Sequence, residues 1–228
     1  MRKTLGIIGI VAFVVGPLLA LLRIVPGIVG FVLFGLGGIL SVGVAIASVI
    51  QAIRGRGFGV AGVLAVVPTA LFVSMALKRG GTPLINDFTT DPSDPPAFHH
   101  AASLGPNTGR DLSYPPAFAD IQRGCCADLQ PVRLTVAPDV AFTRARAAAQ
   151  EMPSWTITEA DAGTGAIEAV DTTRVFGFQD DIAIRVRPEA DGKASRVDVR
   201  SKSRVGKGDQ GANAARIRAY VVALNAQR

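Results

Sequence analysis

Asp180 and Asp181 are adjacent carboxylates, and a basic run follows them in which Arg196, Asp198, Arg200, Lys202 and Arg204 alternate with small or apolar side chains. Acids next to arginines are the residue types of hydrolysis or group transfer, where one acid donates a proton, the other abstracts one, and an arginine stabilises the anion. The spacing argues against that chemistry, because neighbours on a strand point to opposite faces; the two aspartates share a site only if they lie in a turn. No other nucleophile has a base at matching spacing. Cys125 and Cys126 are adjacent and fit neither a CxxC pair nor a zinc knuckle, and a mutual disulfide there would be strained. His99 and His100, the only histidines, stand in irregular chain with no cysteine or carboxylate at ligand spacing. Neither a metal nor a cofactor is expected.

The same basic residues suit recognition of an anion. Arg185, Arg187, Arg200 and Arg204, with Asn213, form a candidate binding set of charge-assisted donors. Gly206 and Gly208 approach Asp209, which is placed to open a helix whose free N–H groups are a second candidate anion site. Gly206, Gly208 and Gly211 also satisfy GxGxxG, but they close an antiparallel strand with no βαβ unit after it, so a dinucleotide site is excluded. Gly177, just before the two acids, marks a turn of left-handed geometry.

Charge distribution locates these residues. The first acid in the chain is Asp87; seven of the 24 Lys and Arg precede it, so 17 bases beyond it face all 18 acids. The formal charge of +6 therefore belongs to the N-terminal third, and the remainder is balanced. A nucleic-acid binder carries its excess on the folded domain, so nucleic acid is excluded as a partner.

Three apolar stretches, at about 4–22, 24–50 and 58–77, lack internal charges and have the length of a membrane span. An inward N-terminus sets Arg2, Lys3, Arg54 and Arg56 against Arg23, Lys78 and Arg79 outside. Three spans then place the remainder outside the cytoplasm. No ionisable residue lies within the spans to mark a transport path. Small residues at Ala12, Gly16 and Ala20, and at Gly43 and Ala47, suit close packing among the chain's own helices.

Residues 80–129 are rich in Pro, Gly, Asp and Ser, with Pro-Pro-Ala-Phe at 95–98 and again at 115–118, and read as a linker lying along the membrane or the domain. From 130 to 228 the periodicities give the order βαββββα, an α+β domain with an antiparallel sheet and two helices on one face. The other face is expected to be a solvated one carrying Glu168, Arg185, Arg187, Arg196, Arg200 and Arg204, partly neutralised by pairs such as Arg187 with Asp198.

The run TTRVFGFQDD at 172–181 with IRVRP at 184–188, the longer run SRVDVRSKSRVGKGDQGANAARI at 195–217, and INDFTTD at 85–91 leading into Pro-Pro-Ala-Phe together resemble the bacterial and chloroplast family known only as domain of unknown function 1499. The likeness covers about 83–224 and departs at Cys125 and Cys126, where similar members lack paired cysteines. It implies no known activity. The polar positions it singles out are Asp180, Asp181, Arg200, Ser201, Ser203, Arg204, Asp209, Asn213 and Arg216. The combined expectation is a bacterial inner-membrane protein with a periplasmic, non-enzymatic module. Its basic sheet face, or its Gly206 to Asn213 corner, would recognise an envelope protein or an anionic lipid. The alternative is a hydrolase or transferase using Asp180 and Asp181 with Arg200 or Arg204.

Overall fold

The computed structural model describes residues 2–78, 82–190 and 192–227. Arg79, which flanks the third expected span, and Gly80 and Gly81, at the start of the expected linker, lie outside them. The chain divides into two compact units, one of Met1–Gly81 with Thr173–Phe178, the other of Thr82–Thr172 with Gln179–Arg228.

The first unit contains helices α1 (Arg2–Leu21), α2 (Gly27–Ile53) and α3 (Gly59–Lys78). Each includes a stretch apolar and long enough to cross a membrane: Thr4–Leu21, Gly27–Ile53 and Gly59–Leu77. Pro26 precedes the first residue of α2, where a fixed φ and a missing N–H do no harm. The small residues bring helices together: a side chain on Gly30 would meet the Gly16 carbonyl and the Ala20 methyl, and Ala20 is fully buried. Gly43, by contrast, faces open space. Residues 173–178 form a turn closed by Thr173 N–H to the Phe178 carbonyl (2.8 Å) and Gly177 N–H to the Thr173 carbonyl (2.9 Å), with Gly177 at φ +65° as its position in the sequence suggests.

The second unit is α+β. Strands β1 (Asp87–Thr89), β2 (Val132–Leu134), β3 (Trp155–Asp161), β4 (Ala166–Thr172), β5 (Gln179–Pro188) and β6 (Ser195–Ser203) form one antiparallel sheet. Its order is β1-β6-β5-β4-β3, with β2 also pairing β6. Helices α6 (Pro138–Glu151) and α7 (Ala212–Ala226) cover one face; short α4 (His100–Ser103) and α5 (Pro116–Cys125) precede β2. From 130 onward this is the expected βαββββα order.

Alternation along the strands creates two unlike faces. Ile167, Ile182, Ile184, Val197 and Val199 pack with Ala141, Ala145, Ile217, Tyr220 and Leu224 in one apolar core. Trp155 stacks on Tyr220 at 5.4 Å, and the Tyr220 hydroxyl donates to the Ala145 carbonyl at 3.0 Å, so its burial leaves no orphan donor. The opposite face holds the charged residues, and here two expectations are corrected. The segment read as a linker is folded chain from Thr82 onward: it supplies β1, which pairs Asp87 with Lys202 and Thr89 with Arg200. Its prolines form no sheet interior, but the Asp94, Pro96 and Leu112 carbonyls and the acids of the same segment supply what the arginines opposite require. The sheet face expected to be solvated is for that reason largely enclosed, with Arg200 2% exposed and Asp181 and Asp198 fully buried.

Candidate functional site

β6 is the organising strand. Its register sets Arg200 opposite Ala183, Asp198 opposite Arg185, and Arg196 opposite Arg187, so these side chains gather on one face. Three ionic clusters result.

In the innermost, Asp87 takes both arms of Arg200, Nε at 3.0 Å and Nη2 at 2.7 Å, and Lys202 Nζ at 3.0 Å. The remaining guanidinium donors of Arg200 reach the Pro96 carbonyl (3.1 Å) and the Leu112 carbonyl (2.8 Å), and its plane lies over Phe98 and Tyr114, 4.7 and 5.5 Å from the ring centres. Burial, with Asp87 nearby, pushes the Tyr114 phenol above its usual range. In the second, the fully buried Asp181 accepts from Arg204 Nε (3.0 Å) and Nη2 (2.7 Å), from Asn107 Nδ2 (3.1 Å) and from Arg110 (3.4 Å). Arg110 also donates to the Ser203 carbonyl at 3.0 Å.

The third cluster is the most open. Asp198 accepts from Arg185 (3.0 Å), Arg187 (2.9 Å) and Arg196 (2.7 Å); Arg196 also pairs with Asp91, and Arg187 with Asp94 at 2.6 Å. The expected Arg187–Asp198 pair is among them. The Asp94 side chain is 57% exposed and that of Arg187 36%. Burial raises the Asp91 carboxyl, but hydrogen bonds from Ser93 and the Asp94 N–H outweigh it and hold the group below its ordinary value. Clefts flank this rim: one of about 380 Å³ between Pro96, His99, His100, Glu159, Ala183 and Arg185, the other of about 360 Å³ between Asp91, Ser93, Gln122, Cys126 and Arg196.

Asp180 and Asp181 lie within β5, not in a turn, and their side chains part. Asp180 joins the helix-covered face, where Arg216 of α7 binds Asp180 (2.7 Å) and Asp171 (2.6 Å) and reaches Ser201 Oγ (2.9 Å). Burial holds the Asp180 carboxyl above its ordinary value, with Arg216 pulling the other way. Asn213, also on this face, donates to Ser203 Oγ (2.9 Å) and the Asn86 carbonyl (3.2 Å). Asp209 accepts from the Gly211 N–H (2.8 Å) and Asn213 N–H (2.7 Å), so the start of α7 already has its anion. Gly206 (φ +90°) offers its carbonyl to Asn86 Nδ2 at 2.6 Å, which ties this corner to the strand entering β1.

Of the candidate binding set, then, Arg200, Arg204 and Asn213 are interior, and Arg185 and Arg187 remain at the rim. Sequence reasoning missed Asp87, Asp91, Asp94, Asn107 and Arg110, which hold the arginines in place. It also missed Gln122, whose side-chain amide accepts the Thr89 N–H (3.0 Å) and donates to the Thr89 carbonyl (2.5 Å), standing in for a further strand beside β1. Glu168 was placed on the right face; its carboxylate accepts the N–H groups of His99 (2.6 Å), His100 (2.9 Å) and Ala101 (2.7 Å), fixing the start of α4. The balance of 17 bases against 18 acids was the available signal that the basic strand had partners in the acidic, Pro-rich segment.

A match to the family described as "Protein of unknown function (DUF1499)" runs over residues 87–224, from the first residue of β1 into the last turn of α7. The chain belongs to the DUF1499 family. The family boundary includes Asp87 and the whole segment that encloses the polar face, so the DUF1499 domain begins where the ionic clusters do. No curated protein matches the chain, and no solved structure does.

The cysteines of this DUF1499 chain are free, with Cys125 exposed and Cys126 buried. Desolvation of its sulfur and the neighbouring Cys126 push the Cys125 thiol up to about 11, far from a thiolate nucleophile. Among the described residues no group of three His, Cys, Asp or Glu is arranged to hold a metal ion.

Proposed function

We propose that this DUF1499 chain is a membrane-anchored, non-enzymatic recognition module, with its folded domain on the periplasmic side of a bacterial inner membrane. The observation that carries the reading is how the motif's charges are used. Asp180 is held by Arg216, Asp181 by Arg204 and Arg200 by Asp87, and none of these lines either cleft beside the rim. What remains for a partner is the rim, where the exposed Asp94 is the one carboxylate an incoming anion can displace from Arg185 and Arg187 with little cost in buried charge. The partner is accordingly an acidic patch of an envelope protein or an anionic lipid headgroup.

A photo-crosslinking residue in place of Ala97, which lines the cleft beside Arg185, tests this in cells. Adducts should form with the parent and vanish when Arg185→Ala and Arg187→Ala are combined in a chain that still melts normally. Identical adducts from both chains would reduce the rim to plain structure. The location is supported by three spans and by the four-against-three distribution of flanking basic residues. A C-terminal alkaline phosphatase fusion should be active; an inactive phosphatase with a bright cytoplasmic fluorescent-protein fusion would put the domain inside.

A further inference from the structure

Residues 173–178 connect two strands of the sheet yet belong to the same compact unit as the three apolar helices. Phe176 packs edge-on to Phe31 of α2 at 5.3 Å and lies 6.2 Å from Phe34, while Phe178 meets Phe31 at 5.7 Å and stacks on Phe176 at 5.7 Å. The backbones also touch: a side chain on Gly27 would collide with the Phe176 carbonyl, and one on Gly177 with the Arg23 guanidinium. Gly27 thus permits a backbone approach that any larger residue would prevent, whereas Gly177 meets only the movable end of Arg23 and is required by its φ of +65°.

We infer that this loop is itself a membrane-contacting element, with Val175, Phe176 and Phe178 seated at the boundary between headgroups and acyl chains. The inference rests on the reading of α1, α2 and α3 as membrane spans. α2 has 27 residues, about 40 Å of helix against a hydrocarbon layer of about 30 Å. Phe31 and Phe34 lie about 6 and 10 Å along α2 from its start, the depth of that boundary when the excess length emerges at the N-terminal end. Around them Ile24, Ile28 and Val32 are exposed, as lipid-facing side chains are, and Val175 is 38% exposed on the loop. Irregular backbone at such depth must satisfy its own polar groups. The loop does so at Thr173, Gly177 and Phe178, the last donating to Thr173 Oγ1 at 2.8 Å. Arg23 and Arg174, both exposed, stand where lipid phosphates lie.

The test uses the full chain in vesicles of phosphatidylcholine and phosphatidylglycerol. Trp155 is the only tryptophan, so Val175→Trp in a Trp155→Phe background reports on the loop alone, with Val205→Trp in the same background as the control. Lipids brominated near the headgroup should remove most of the position-175 emission and leave the control untouched; aqueous acrylamide should do the reverse. Emission at 175 quenched by acrylamide, or shielded from both quenchers as in a protein interface, overturns the proposal. If Trp155→Phe does not fold, a nitroxide on Val175→Cys in a Cys125→Ser, Cys126→Ser chain reads the same distinction, lipid contact giving access to oxygen and not to a nickel chelate. Carbonate washing comes first: a chain that is extracted refutes the spans and this inference together, whereas one that stays in the membrane with a water-exposed position 175 refutes only the loop.

Discussion

The two faces of the sheet in the DUF1499 domain are made by the same strands and held by opposite means. Under α6 and α7, Ile182, Ile184, Val197 and Val199 exclude water by shape, and cohesion there is the non-directional gain of burying apolar area. On the other face, Asp87, Asp181 and Asp198 each gather two or three cations, and cohesion at the enclosed centre, around Asp87 and Asp181, depends on the partners being present. An apolar core loses a fraction of its stability when one side chain is trimmed. An enclosed ionic network loses far more, because the survivor is a buried charge without a partner.

The strongest attempt to break that comparison is Asp87→Asn, which leaves Arg200 and Lys202 enclosed with no counter-charge. It should destabilise the detergent-solubilised chain by about 3–5 kcal/mol in a denaturant melt, at least as much as Leu224→Ala in the apolar core, for which about 2–5 kcal/mol is expected. Replacing Asp87→Leu, Arg200→Met and Lys202→Met together should recover much of the loss, since an ion cluster exchanged for apolar groups of similar volume is often neutral. A single Asp87→Asn variant that melts like the parent would mean the network contributes nothing.

Glu168→Gln comes next. The amide oxygen can keep the His99 and His100 N–H groups, but its –NH₂ then faces the Ala101 N–H donor and the charge is lost, so a loss of about 1.5–3 kcal/mol is expected, the range for hydrogen bonds to a charged group. Amide exchange at His100 and Ala101 should accelerate in step. Arg187→Ala, at the rim, should cost about 1 kcal/mol or less, because Asp198 keeps Arg185 and Arg196 and solvent screens the rest. A loss comparable to that of Asp87→Asn would show the rim to be as closed as the centre.

The smallest effect depends on pH. Since burial raises the Asp180 carboxyl, the folded chain binds that proton more tightly than the unfolded one. The contribution is full below the unfolded value of about 3.9 and is lost as pH rises through the folded value. Denaturant midpoints of the parent should therefore fall across that window relative to Asp180→Asn, which lacks the group. Parallel profiles would show that Arg216 cancels the burial entirely.

The apolar half of this architecture was legible in the sequence because each strand and helix carries its own period: Val197 and Val199 alternate inward, and Ile217 and Leu224 recur on one side of α7. The face assignment of Arg185, Arg187 and Arg200 followed from the same alternation. What covers them did not, because Asp87 and Arg200 are 113 residues apart and the segment from Thr82 to Leu129 has no period of its own. Proline density there reads locally as a tether, and it is tertiary pairing, such as β1 with β6 and the Pro96 and Leu112 carbonyls with Arg200, that makes it part of the fold. The tie from Asp209 to the start of α7 was legible because its chemistry is local, within four residues, although the N-cap position itself is held by Gly211.

The position of β6 has a consequence for biogenesis. β1 and β2 both pair with β6, and β5 lies on its other side, so the strand made nearly last is the one the earliest segments require. During synthesis the three apolar helices emerge first, and the acids at 87, 91 and 94 remain unmatched until the arginines at 185–200 follow. Such non-local topologies close slowly and expose partly made sheets to misassembly. A ribosome stalled before Ser195 would hold a protease-sensitive domain behind the three apolar helices, and release of the remaining residues would make it resistant in one step.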